Sequence, residues 1–93
     1  MKQEQIKFIM ETFKLDEGGL AKTLNVTPYT VDRWLKKTNP NLPTGLQREV
    51  LQGLYNAALE IRRKKDKEAE KAITALVALG IGALIFFLLT KSK

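Results

Sequence analysis

Residues 20–37 read LAKTLNVTPYTVDRWLKK, and this stretch decides the fold. Leu20, Ala21 and Leu24 are spaced to line one face of a helix, with Asp16 placed upstream as its N-cap. Asn25 then stands where the chain must leave the helix, and it tolerates a left-handed backbone better than most residues. Thr27-Pro28 is the start signal of the next helix: a hydroxyl to cap it, then a proline whose missing N–H costs nothing at the first position. That helix is predicted to run to about Lys37 and to bury Val31, Trp34 and Leu35. Gly18 and Gly19 weaken the first turn of the earlier helix by about 1 kcal/mol each relative to alanine. They read as close packing or a loose start.

Working outward, Ile6, Ile9, Met10 and Phe13 form an apolar stripe within Gln3–Lys14, the mark of an amphipathic helix; Phe8 falls beside it. Downstream, Asn39-Pro40-Asn41-Leu42-Pro43 is a stop signal and loop. Thr44-x-x-Gln47 has the form of a capping box opening a fourth helix. Its stripe continues through Leu46, Val50, Leu54, Ala58 and Ile61, with Leu51 and Tyr55 alongside. No Pro or Gly interrupts the charged run that follows, so one helix could continue from Thr44 into the C-terminal segment. No run alternates with a period of two for long enough to suggest a strand.

Chemistry is limited by composition. The 93 residues contain no cysteine and no histidine, which removes thiolates, disulfides, the commonest general base and the commonest metal ligand. No calcium-loop spacing, Gly-rich phosphate loop or nucleophile elbow is present, so the chain is read as non-enzymatic, without cofactor or metal. The net charge of +6 is unevenly spread. Residues 1–58 hold eight Lys/Arg against six Asp/Glu, residues 59–71 six against four, and Lys91 and Lys93 supply the rest. The N-terminal part is only mildly basic.

Ala72 to Thr90 is 19 residues without a charge, about 28 Å as a helix and close to the roughly 30 Å apolar core of a bilayer. A transmembrane helix is therefore predicted over 72–90, with a tail of 91–93. Arg62, Arg63, Lys64, Lys65, Lys67 and Lys71 precede it and are expected to lie at an anionic membrane surface. This excess of cations places the N-terminal part in the cytoplasm, making a tail-anchored, single-pass protein of the bacterial inner membrane. Ala75, Ala78 and Gly82 share a face through which two such helices could associate as a homodimer.

Residues Glu17 to Lys37 resemble the helix-turn-helix of the Cro/C1 repressor family, and the similarity extends over about residues 3–61. Leu20, Ala21 and Leu24 match the packed face of its first helix, Asn25 the usual turn glycine, and Val26 the apolar residue after it. Thr27 matches the cap of its recognition helix, and Val31 and Trp34 the buried positions. The resemblance implies DNA binding, with Pro28, Tyr29, Thr30, Asp32 and Arg33 exposed towards a major groove. Arg33 could read guanine, and Lys36, Lys37 and Lys22 could hold phosphates. Lys36 and Lys37 read equally well as cations completing a helix dipole.

The expected fold is all-α: a four-helix helix-turn-helix domain over 1–61, a long charged juxtamembrane helix over 62–71, and one transmembrane helix. The expected function is a membrane-anchored DNA-binding protein, either a transcription regulator or a DNA–membrane tether. The layout is also similar to the N-terminal half of the RodZ family. That similarity implies an alternative in which the repressor-like domain binds a cytoplasmic, cytoskeletal protein partner.

Overall fold

Five helices make up the described part of the chain: α1 (Gln3–Thr12), α2 (Glu17–Leu24), α3 (Pro28–Trp34), α4 (Gly45–Lys64) and α5 (Lys67–Leu79). The computed structural model describes residues 1–36, 38, 41–65, 67–80 and 82, and among these the chain is all-α.

Two helix pairs, α1 with α4 and α2 with α3, enclose one core, and α5 closes it by packing on both α4 and α2. Ile6, Ile9, Leu20, Leu24, Val31, Val50, Leu51 and Leu54 are fully buried at its centre. At about 1.5–3 kcal/mol for each large aliphatic side chain taken out of water, this cluster is the main source of stability. Phe8, beside the α1 stripe, is half-buried between Tyr55, edge-on at 5.8 Å, and the Arg62 guanidinium, 4.9 Å from its ring centre.

The turns explain the helix boundaries. Asp16 accepts the Gly19 N–H at 2.6 Å and caps α2 as its side-chain chemistry predicts. Asn25 is left-handed (φ 58, ψ 44), and the Val26 N–H reaches back to the Ala21 carbonyl at 2.9 Å, satisfying a carbonyl the helix leaves open. The same closure ends α1, where Lys14 (φ 55) lets the Leu15 N–H reach the Met10 carbonyl at 2.8 Å. At the head of α3, Thr27 accepts the Thr30 N–H at 3.2 Å, with Pro28 at the first position.

Several expectations are corrected. Thr44 is the N-cap residue of α4 but makes no side-chain cap bond, because Gly45 at φ +60 turns the chain out of helical geometry just after it. Leu46, placed on the α4 stripe, is 50% exposed, since burial on this helix begins one turn later at Val50. The α3 helix ends at Trp34 rather than near Lys37. Past it the Lys36 N–H turns to the Arg33 carbonyl, and the Asn41 N–H takes that same carbonyl at 3.2 Å.

The larger correction concerns the C-terminal third. Among the described residues, no helix is long and apolar enough to cross a membrane. This overturns the expected transmembrane, tail-anchored chain and its single-pass placement in a bacterial inner membrane. The uninterrupted helix from Thr44 is not formed either: α4 stops at Lys64, and Lys65 is left-handed at φ 53. The run that continues as α5 is only 13 residues long and opens with Lys67, Glu68, Glu70 and Lys71. It is an amphipathic helix of the core. Ile73 and Val77 are 4% and 3% exposed, with Ala69 and Leu76 half-buried beside them. The Thr23 hydroxyl, itself buried, lies 2.9 Å from the Gly19 carbonyl and 3.2 Å from that of Val77, linking α2 to α5.

Gly80 (φ +102) then ends the helix, its N–H reaching the Leu76 and Val77 carbonyls at 3.2 Å. The energetic reason for the turn at Lys65 is direct. A left-handed non-glycine residue costs about 1–2 kcal/mol, whereas burying Ile73 and Val77 returns about 1.5–3 kcal/mol each. Of the predicted membrane segment, residues 81 and 83–90 lie outside the described residues, as does the tail of 91–93.

Candidate nucleic-acid interface

The α2–α3 pair positions the candidate site. Its inner face is spent on the core, with Leu20, Ala21, Leu24 and Val31 buried and Trp34 only 4% exposed. The outer face of α3 is consequently formed by the residues between them. Pro28 and Tyr29 are exposed, the latter by 67%, while Thr30, Asp32 and Arg33 are partly exposed. Lys36 is exposed just beyond the helix, on the same side as Asp32.

These side chains are already engaged with one another. The Arg33 guanidinium lies 5.8 Å from the Tyr29 ring centre and donates to its hydroxyl at 3.3 Å. Asp32 and Lys36 approach to 4.0 Å, a loose pair whose two side chains are half exposed and which contributes little in water. The Thr27 and Thr30 hydroxyls are 3.0 Å apart. Two cations and one carboxylate therefore share this face, and each cation rests on a neighbour four residues away.

A contact from α1 holds the far end of α3 in place. The Gln3 side-chain amide donates to the Trp34 carbonyl at 3.2 Å and to the Lys36 carbonyl. It thereby supplies donors to carbonyls that a helix only seven residues long leaves open. Nothing in the local pattern around Gln3 signals this role, because its partners lie 31 and 33 residues away.

The other predicted site residues are dispersed. Lys22, proposed as a phosphate contact beside α3, lines a groove between α2 and α5 together with Phe13, Thr23, Val77 and Ala78. Lys37 lies outside the described residues. Of the expected membrane-surface cations, Arg62 is held over Phe8 and Arg63 is paired with Glu60 at 2.7 Å. Lys64, Lys65, Lys67 and Lys71 are exposed around the α4–α5 turn. No group of three or more acidic residues that could hold a metal ion occurs among the described residues.

Compared with known protein families, with curated proteins and with solved structures, the chain matches none.

Proposed function

We propose that this chain is a helix-turn-helix DNA-binding module, non-catalytic, that presents α3 to duplex DNA. The observation carrying the reading is the α2–α3 junction. Asn25 closes α2 in the left-handed conformation, Thr27 caps α3, and Val31 and Trp34 anchor it, so that Tyr29, Thr30 and Arg33 face outward together. A short helix held at both ends and exposed along one side suits insertion into a major groove, about 12 Å wide. Arg33 is the residue whose planar donors fit a guanine edge, and Thr30 can contact phosphate or base. With only two cations against one carboxylate on this face, a single copy binds weakly, and a homodimer would supply the missing affinity. Control of transcription is the role such binding would serve.

The test is a titration of the full chain against a random-sequence duplex pool at 50 mM salt, read by fluorescence anisotropy. Arg33→Ala is expected to weaken binding about five- to tenfold, about 1–1.4 kcal/mol, while leaving the helical signal intact. A chain that binds no duplex, even when fused to a dimerising leucine zipper, refutes the reading.

A second reading, a protein-interaction module for a cytoplasmic partner, is favoured by one observation. Tyr29 is a large, exposed aromatic, and both neighbouring cations are folded back onto the helix. Under that reading Tyr29→Ala abolishes partner binding, with little dependence on salt.

A further inference from the structure

A cluster of exposed cations stands around the α4–α5 turn, apart from those on α3. Two adjoining hollows lie there, where the C-terminal end of α1 meets the turn. One is lined by Glu11, Lys14, Arg62, Lys65, Lys67 and Glu70, with Thr12 and Ile61 beneath. The next shares Thr12, Lys14 and Glu70 with it and adds Lys71. Five cations therefore face two carboxylates across the pair of hollows, against two and one on α3. Arg62 is committed to the Phe8 ring. Lys14, Lys65, Lys67 and Lys71 are exposed, and among the described residues none lies within 4.0 Å of a carboxylate. Lys14 and Lys65 both hold left-handed backbone, at φ 55 and φ 53, in the α1–α2 and α4–α5 turns. The cluster is thus a product of the fold, with one member 51 residues from the next in sequence.

We infer that Lys14, Lys65, Lys67 and Lys71 form a phosphate-backbone seat for nucleic acid, separate from the α3 face and the main source of salt-dependent affinity. The inference rests on the DNA-binding reading and says where its electrostatic part resides. Exposed ammonium groups at the edge of such hollows suit hydrated phosphates. Insertion into a lipid interface would instead call for exposed apolar anchors beside the cations. Of the large exposed apolar residues, Tyr29, Leu42 and Leu46 lie on α3, the loop after it and the start of α4, while Leu59 on α4 and Leu79 on α5 line neither hollow. The seat is at the C-terminal end of α1 and the Gln3 contact to α3 at its N-terminal end, so the two surfaces are separated by that 10-residue helix, about 15 Å. One duplex can bridge that distance along its backbone.

The experiment uses the full chain and a random-sequence duplex pool, with affinity followed from 50 to 200 mM salt. Each phosphate neutralised contributes about 0.9 to the slope of log affinity against log salt. Replacing Lys14, Lys65, Lys67 and Lys71 together by glutamine is expected to lower that slope by about 1.8–3.6, for two to four phosphates. Across this range wild type then loses roughly 12- to 150-fold more affinity than the variant. Replacing the same four by arginine keeps the slope. Should the glutamine variant fail to fold, the Lys67→Gln/Lys71→Gln double variant, confined to exposed helical positions, is expected to lower it by about 0.9–1.8.

Duplex binding whose slope ignores these lysines but falls with Arg33→Gln/Lys36→Gln overturns the seat and leaves the DNA-binding reading standing. A wild type that binds no duplex overturns that reading and the seat with it. A parallel titration uses vesicles containing phosphatidylglycerol. If the four substitutions abolish vesicle binding and spare duplex binding, the surface belongs to lipid and the inference falls.

Discussion

If α5 is part of the core, Ile73→Ala should destabilise the whole N-terminal domain. Ile73 is 4% exposed and packs within the same cluster as residues of α1, α2 and α4. Truncating a buried isoleucine to alanine costs about 2–5 kcal/mol, and the cost is lowest where neighbours can collapse into the space. This site lies near the edge of the core, so the low end applies, about 2–3 kcal/mol. A domain of this size is stable by only about 4–12 kcal/mol, and a loss of 2–3 kcal/mol lowers the melting temperature by about 8–24 °C. Trp34 is the sole tryptophan, is 4% exposed and sits in the same core, so its fluorescence reports unfolding without a label. Denaturant titrations of the full chain, wild type and Ile73→Ala, give the difference from the two midpoints. The contact between α2 and α5 is examined in the same assay with Thr23→Val, which keeps the shape and removes the hydroxyl near the Val77 carbonyl. Its expected cost is about 1 kcal/mol. Midpoints for Ile73→Ala within 0.5 kcal/mol of wild type, as a helix outside the core would give, refute the placement of α5.

Other substitutions examine the α2–α3 unit in the same way. Trp34→Ala should cost about 3–5 kcal/mol and leave much of the population unfolded at 37 °C, seen as loss of helical circular dichroism. Thr27→Ala removes the cap on α3 and should cost about 1 kcal/mol, measured by thermal melting, with Asp16→Ala similar on α2. At Asn25, with φ 58, a change to glycine should be neutral or slightly stabilising. A change to valine there should cost more than 1 kcal/mol, because a β-branched side chain resists the left-handed backbone.

The local signals that were legible in the sequence share a property: each is complete within a few residues. Asp16 caps α2 through a bond to Gly19, three residues away, and Thr27 caps α3 through Thr30. Asn25 needs only its own backbone preference to stop a helix, and Ile6, Ile9 and Phe13 declare a buried face by their spacing alone. Positions and faces of the first four helices follow from such signals. Their ends do not always. Trp34 ends α3 because carbonyls beyond it find partners in Gln3 and Asn41, which no local pattern reveals.

The candidate site divides along the same line. Tyr29, Thr30 and Arg33 were identifiable because a capped helix with Val31 and Trp34 inside must turn them outward. The hold of Arg33 on Tyr29, the placing of Lys22 in the groove beside α5, and the meeting of Lys14 with Lys65, Lys67 and Lys71 depend on elements brought together by packing.

Local patterns establish that this chain is helical, where four of its helices begin, and most of the side chains that enter their core, because hydrogen bonds across a turn and a 3.6-residue apolar period are local quantities. Only the tertiary structure decided the fate of the apolar run that starts at Ala72. Its hydropathy alone fits a bilayer as well as a protein interior, since both exclude water. The burial of Ile73 and Val77 against α2 and α4, stronger than the cost of a left-handed Lys65, turned its first half into the fifth helix of the domain.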